Sequence, residues 1–281
     1  MISWVIMRAR ARVIAAAGLA LGLMLGAGMA RAQDRSLTLT EASRSGAIPW
    51  DRLELDAYEL VRDVVQGAAV AREVRDITFR SHKPIFDFLL DHPDFAADVA
   101  RALREGKYHV RRVGSLYEAD DGRGVRGLMR PLLAEAGRRV YYLEGRYDPP
   151  LLPALSGRAV IALDSEHLEG PDGVTYCAMR FAGFLKLDSV VADSFARVMQ
   201  SFSEDQMDRR VRRFFGHVAK VSRRAYDDPE GLAEVLAGRP ELAAAHLAEF
   251  RALLLASVAP AWAASGEYRF LDAPSLTNRP E

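Results

Sequence analysis

The segment LDSEHLE, residues 163–169, holds three side chains that could move a proton or bind a metal: Asp164, Glu166 and His167. The surrounding residues have the composition of a β-strand, in which neighbouring side chains point to opposite faces. Asp164 and Glu166 therefore share one face and His167 takes the other, so the three cannot converge on one ion. We expect a solvated pair of acids, and His167 remains a candidate acid or base.

Other patterns that carry chemistry are absent or weak. No pair among His82, His92, His109, His167, His217 and His246 has the spacing of a zinc site, so neither a metal nor a cofactor is expected. Cys177 is the only cysteine, and its apolar, strand-like surroundings favour a buried hydrophobe over a nucleophile. There is no G-x-S-x-G motif. The glycines of GRGVRG, residues 122–127, open a strand-like run rather than a helix, which argues against a dinucleotide site.

The N-terminus has the features of a signal peptide. Arg8, Arg10 and Arg12 precede an apolar run over 13–30, and Ala30-Arg31-Ala32 matches a cleavage site. We expect cleavage after Ala32 and export to the periplasm, with retention of the run as a membrane anchor as the alternative. Without residues 1–32 the chain has 34 basic and 38 acidic side chains, a net charge of −4. Such a balance shows no electrostatic footprint for nucleic acid.

A helical corner precedes the predicted strands. In SHKPIFDFLLDHPDFAADVARAL, residues 81–103, an apolar helix stops at Asp91-His92-Pro93, and a second helix opens at Asp94. Pro93 cannot lie inside a helix and drives His92 out of the α region, so a break is expected there. A helix is predicted before this corner over 51–73, and a strand over 74–81.

Beyond the corner, residues 107–187 alternate between strand-like runs and turn signals. We predict a meander of strands there: KYHVRRVGSLYEA, GVRGLMRPLLAEA, RRVYYLEGRYD, RAVIALDSEHLEG and VTYCAMRFAGFLKLD. Sequential short turns favour antiparallel pairing, and Pro131 implies an edge or a broken strand. A long amphipathic helix follows over about 188–226, and a further helix over about 240–258. The Arg-rich side of the long helix, 209–213 with 223–224, is either a solvated face or a contact with anionic lipid headgroups.

The order of these elements resembles the START-like, or helix-grip, superfamily (SRPBCC), which includes polyketide cyclase/dehydrase-like and lipid-transport-like proteins. VRDITFRS followed by PIFDFLLDHPDFAADV is similar to the opening of that family, with Asp91, Pro93 and Phe95 at its corner. The resemblance covers about residues 70–226. It implies an α+β fold in which a curved antiparallel sheet grips a long C-terminal helix and encloses a cavity. The helix at 51–73 and the chain after 229 lie outside the family pattern.

The expected organisation therefore has five parts: a signal peptide (1–32), a linker (33–50), an N-terminal helix (51–73), a helix-grip ligand-binding domain (74–228) and a helical C-terminal extension (229–281). One face of three strands, together with the long helix, would line the cavity. The expected lining residues are Tyr141, Leu143, Ile161, Leu163, His167, Met179, Phe181, Phe195, Met199 and Phe202. An ordinary packed core would use the same residues.

Three functions are compatible with these features. The export signal, the apolar faces and the absence of a catalytic constellation favour a protein that binds or transfers an apolar, lipid-like molecule, with peripheral membrane contact as an option. An enzyme of the cyclase/dehydratase kind would use the same cavity, with His167, Tyr141 and Tyr176 as the first residues to test. A structural or assembly protein would instead have a filled interior.

Overall fold

A single antiparallel sheet organises the part of the chain that the structure, a computed structural model, describes: residues 46–122, 124–148, 154–171, 173–188 and 204–258. In chain order the elements are a 3-10 turn at Trp50–Arg52, α1 (Leu55–Gln66), β1 (Val70–Arg80), α2 (Lys83–Asp91), α3 (Pro93–Ala102), β2 (His109–Val113), β3 (Leu116–Asp120), β4 (Val125–Glu135), β5 (Arg138–Tyr147), β6 (Leu155–Glu169), β7 (Thr175–Leu187), α4 (Glu204–Asp227), α5 (Pro229–Ala237) and α6 (Ala244–Val258). The predicted α+β class, with two short helices after the first strand, is confirmed.

The seven strands lie in the order β1-β7-β6-β5-β4-β3-β2. Consecutive strands from β2 to β7 pair as antiparallel neighbours, as the short turns predict. The pairing of β1 with β7 is the exception, because it joins the two ends of the strand region. It brings the helical corner, which directly follows β1, next to the last strand.

The helix-to-strand boundary near residue 70 differs from the prediction. The N-terminal helix covers Leu55–Gln66 rather than 51–73, and its end is marked by Gly67, whose N–H donates to the Asp63 carbonyl at 3.2 Å. β1 then begins at Val70 instead of 74, because Val70 pairs with Leu185 of β7. This tertiary pairing overrides the weak local preference of the sequence.

The run KYHVRRVGSLYEA forms two strands rather than one. Val113 pairs with Leu116, and the two residues between them make the turn of a β2–β3 hairpin. Gly114 has φ of +64°, a left-handed conformation that glycine adopts without steric cost and that two-residue hairpins require. Further along, the pairing of β4 with β5 shifts between Pro131 and Leu133, so the proline lies at the irregularity that its missing N–H predicts.

Helices cover both faces of the sheet. We call the face that carries Leu143, Ile161 and Phe181 the corner face, because Phe86 of α2 and Ala97 and Ala100 of α3 pack on it. We call the opposite face, with Val140, Val160 and Phe184, the α1 face, because Val61, Val64 and Val65 of α1 pack on it. Ala47 and Ile48, at the end of the predicted linker, are also buried there. Coverage on both sides explains the continuous apolar runs of β5, β6 and β7.

The C-terminal helices pack on the helical corner rather than on the sheet. Leu232 and Leu236 of α5 and Phe250 and Leu254 of α6 are fully buried in a second apolar cluster with Phe88 and Phe95 of the corner. α5 begins at a cap in which the Asp228 carboxylate accepts from the Gly231 N–H at 3.0 Å. Of the long predicted helix, the structure describes Glu204–Asp227, and residues 189–203 lie outside the described ranges.

Candidate functional site

Six of the residues expected to line a cavity lie together on the corner face. Tyr141 and Leu143 of β5, Ile161 and Leu163 of β6, and Met179 and Phe181 of β7 are all buried in one cluster. Tyr141 pairs with Ile161 and Leu163 with Phe181 across neighbouring strands, so the set forms a continuous apolar surface. Phe195, Met199 and Phe202 lie outside the described residues.

The same cluster includes residues that the sequence analysis did not single out. The additional aromatic members are Phe79, Phe86, Tyr108 and Tyr117, and Val110, Val125, Met129 and Leu155 join them. The sequence shows the strand or helix periodicity of these residues. Which face of the sheet each of them occupies depends on the pairing register between strands, which the sequence does not show. From α4, Ala219 and the half-buried Val218 reach this cluster.

Hydroxyl groups on the corner face bind the end of α2. The Tyr141 hydroxyl donates to the Leu90 carbonyl at 3.3 Å, and the Tyr117 hydroxyl donates to the Asp91 carbonyl at 3.4 Å. The last carbonyls of a helix have no partner within the helix, so these phenols satisfy them. Burial raises the pKa of Tyr141 far above its usual range. Tyr141 therefore has a structural partner and is a poor candidate for a proton donor.

A buried cation also holds the corner. The Arg139 guanidinium donates to the Asp91 carboxylate at 2.8 and 3.1 Å, and to the carbonyls of Glu135 and Arg138. Its side chain is only 6% exposed, whereas that of Asp91 is 48% exposed. Because Asp91 stays half-exposed, the pair avoids much of the desolvation of the carboxylate that a fully buried pair would incur. The corner is thus attached to the sheet by three polar side chains.

His167 lies at the far end of β6, on the corner face. Its ring centroid is 5.6 Å from that of Phe86, and it pairs across the strands with the fully buried Cys177. Its Nε2 atom is buried and has no hydrogen-bond partner. Burial lowers the pKa of His167, Asp87 opposes that shift, and Lys83 and His82 reinforce it. The imidazole is accordingly neutral near pH 7, with one nitrogen available as an acceptor.

Asp87 of α2 is the acidic group near His167. One carboxylate oxygen pairs with Lys83, and the other, Oδ1, is buried without a hydrogen-bond partner. Burial, with a contribution from Asp87, raises the pKa of the Cys177 thiol to about 12. The thiolate is therefore scarce at neutral pH, which agrees with the interpretation of Cys177 as a buried hydrophobe rather than a nucleophile.

The remaining candidates do not converge on His167. Asp164 accepts from Arg138 at 2.7 Å, and Glu166 is exposed. Both border an open, polar groove of about 660 Å³ on the α1 face. Tyr176 precedes Cys177 in β7 and therefore points to the face opposite His167.

Within the described ranges no group of three or more His, Cys, Asp or Glu side chains could hold a metal ion. Across those same residues, no helix is both long and apolar enough to cross a membrane. On the Arg-rich side of α4, Arg223 and Arg224 are exposed, while the side chains of 209–213 lie outside the described part of the structure.

Two solved structures show limited similarity to this chain. The first, "Crystal structure of Ara h 8.0201", is 12% identical, covers 54% of this chain and 99% of its own, and has a TM-score of 0.27. The second, "Crystal structure of apo Dicamba Monooxygenase", is 13% identical, covers 66% of this chain and 58% of its own, and has a TM-score of 0.21. No protein-family model and no curated protein matches the chain. At these values the similarities say nothing about what the chain binds.

Proposed function

We propose that this chain is an exported protein that binds, and carries, an apolar lipid-like molecule on the corner face of its sheet. The observation that supports the proposal is the continuous apolar surface contributed by β5, β6 and β7 beneath the helical corner. Met179 and several aromatic side chains give that surface contacts that adapt to different ligand shapes. The signal-peptide pattern before Gln33 supports export of the mature protein to the periplasm, where lipids must cross an aqueous space.

Native mass spectrometry of the mature protein, purified from its own periplasm, tests this function. The spectrum of the native protein is compared with that of the same sample denatured in organic solvent. A lipid mass that is released on denaturation supports the proposal. A clean apo mass contradicts it and favours the structural or assembly protein with a filled interior.

A pair of matched variants shows whether the corner face holds the ligand. Ala159 and Ala162 are both buried in β6, but Ala159 lies on the corner face and Ala162 on the α1 face. Each Ala→Leu change overpacks the core at a similar cost of about 1–3 kcal/mol. Ala159→Leu is expected to lower ligand occupancy severalfold, and Ala162→Leu to leave it unchanged. An equal loss of ligand occupancy in both variants would show that the ligand does not bind specifically on the corner face.

The cyclase/dehydratase alternative has one supporting observation: the half-buried imidazole of His167 is neutral, its Nε2 atom is buried without a partner, and a carboxylate lies nearby. Such an imidazole can remove a proton from a ligand carbon next to a carbonyl group. The recovered ligand distinguishes the two functions: the binding protein returns it unchanged after incubation. Conversion that disappears in His167→Gln would make the chain an enzyme.

A further inference from the structure

One row of side chains crosses the corner face at the level of His167. Phe79 of β1 pairs with Cys177 of β7, and Cys177 pairs in turn with His167 of β6. Phe86 of α2 packs over this row, with its ring centroid 5.7 Å from Phe79 and 5.6 Å from His167. The imidazole is thus the polar end of an otherwise apolar row.

Two buried polar atoms at this end have no partner. They are Nε2 of His167 and Oδ1 of Asp87, which come from elements 80 positions apart in sequence, a strand and the helix packed above it. A buried polar atom without a hydrogen bond costs free energy, and native proteins rarely leave one unsatisfied. A group that binds both atoms would remove that cost.

The charges around the pair restrict which group can bind. The Asp87 carboxylate accepts hydrogen bonds but cannot donate them, so it disfavours a ligand carboxylate. Lys83 already pairs with the other oxygen of Asp87, and its positive charge disfavours a second cation. A hydroxyl group is neutral, and it can donate its one proton to Oδ1 of Asp87 while accepting from the N–H of the Nε2 tautomer of His167.

We propose that His167 and Asp87 anchor the polar end of the bound molecule and select an apolar ligand that ends in a hydroxyl group. This inference rests on the proposed function, since it names the ligand class of the same site. It goes beyond that function because it requires the protein to bind one ligand more tightly than another that has the same apolar chain but a different polar group.

Binding of dodecanol, dodecanoic acid and dodecylamine to the mature protein tests the anchor, measured by isothermal titration calorimetry after delipidation. Dodecanol is expected to bind about tenfold more tightly than the acid or the amine, which corresponds to about one hydrogen bond. Equal affinities for the three probes, or tighter binding of the acid, would overturn the anchor and leave the proposed function standing. No binding of any probe would overturn both.

Variants of Asp87 and His167 test whether these two residues cause the preference for the hydroxyl group. Asp87→Asn is expected to reduce the discrimination against dodecanoic acid severalfold, because the repelling charge is gone. His167→Leu is expected to weaken dodecanol binding about fivefold to tenfold and to change acid binding less than twofold. Glu166→Gln alters the exposed neighbour on the opposite face of β6 and is the control with unchanged affinities. If His167→Leu does not fold, as judged by circular dichroism, His167→Gln takes its place. An unchanged preference in both Asp87 and His167 variants contradicts the proposal.

Discussion

The Arg139 guanidinium lies 2.8 Å from the Asp91 carboxylate and so joins β5 to the turn between α2 and α3. Both Nε and one terminal nitrogen of Arg139 donate to the same carboxylate oxygen, and the third nitrogen donates to backbone carbonyls. The apolar corner face is therefore closed at this end by a polar attachment. The ion pair holds the turn between α2 and α3 against β5.

Arg139→Met should lower the free energy of unfolding by about 1–3 kcal/mol, because a buried group loses charge-assisted bonds while Asp91 remains solvated. Chemical denaturation measures this loss. The control is Arg130→Met, which breaks the exposed pair of Arg130 with Asp56 and should change stability by less than about 1 kcal/mol. Equal effects of the two changes would mean that burial of Arg139 contributes nothing.

Tyr141→Phe should reduce stability by about 0.5–1.5 kcal/mol, because the Leu90 carbonyl loses its donor. Ligand occupancy in native mass spectrometry should stay unchanged, since the ring remains in the apolar surface. Tyr147→Phe, on the same face of β5, is the matched control for removal of a hydroxyl. Loss of binding in Tyr141→Phe alone would assign that hydroxyl to the ligand instead of the helix end.

Phe250→Ala should detach α6 from the corner, because the ring is fully buried against Phe88 and Phe95 at centroid distances of 5.6 and 5.4 Å. The loss is expected to be about 3–5 kcal/mol. Hydrogen exchange should show faster exchange in 244–258 than in β6. Leu255→Ala is the control in the same helix, since Leu255 is 52% exposed and its truncation should cost less than about 0.5 kcal/mol.

Acid should weaken the attachment of α6. The ring centroids of His92 and His246 lie 4.3 Å apart, with the two rings tilted by 40°. Burial, followed by the charge of His246, lowers the pKa of His92 below its usual 6.5, while Glu249, Asp94 and Asp91 oppose the shift. The folded state then binds fewer protons than the unfolded state, so stability is greatest above pH 6.5 and falls as the pH drops from there toward the lowered pKa. Denaturation at several pH values should show this slope, and His92→Gln should reduce it. An identical slope in the variant would exclude His92 as its source.

The single thiol should report opening of the fold. Cys177 is fully buried and its pKa is raised to about 12, so the folded protein should react with a disulfide reagent at pH 8 only through opening. The reaction rate should rise with denaturant in parallel with the loss of helical signal. Rapid reaction of the folded protein would show that the end of the sheet near His167 opens readily.

Local patterns in the sequence determined most of the elements and their faces. Alternation along β5, β6 and β7 was enough to group Tyr141, Ile161 and Phe181 on one side, because successive strand residues must point to opposite faces. Pro93 was enough to predict the break between α2 and α3, because proline excludes the preceding residue from the helix. These inferences depend only on the covalent geometry of a few neighbouring residues, and the identities of those residues can be read from the sequence.

Only the tertiary structure decided what covers each face and which polar groups meet. That α1 packs on Val160 and Phe184 followed from the sheet order, since no local pattern says which face a helix will cover. Arg139 bonds to Asp91, and His167 lies near Asp87, although each residue is tens of positions from the other in sequence. Both meetings depend on strand register and on where β1 delivers the corner. Periodicity assigns a residue to a face, whereas long-range pairing assigns it a partner. The apolar surface and the position of His167 on it were therefore predictable, and the approach of Asp87 to His167 was not.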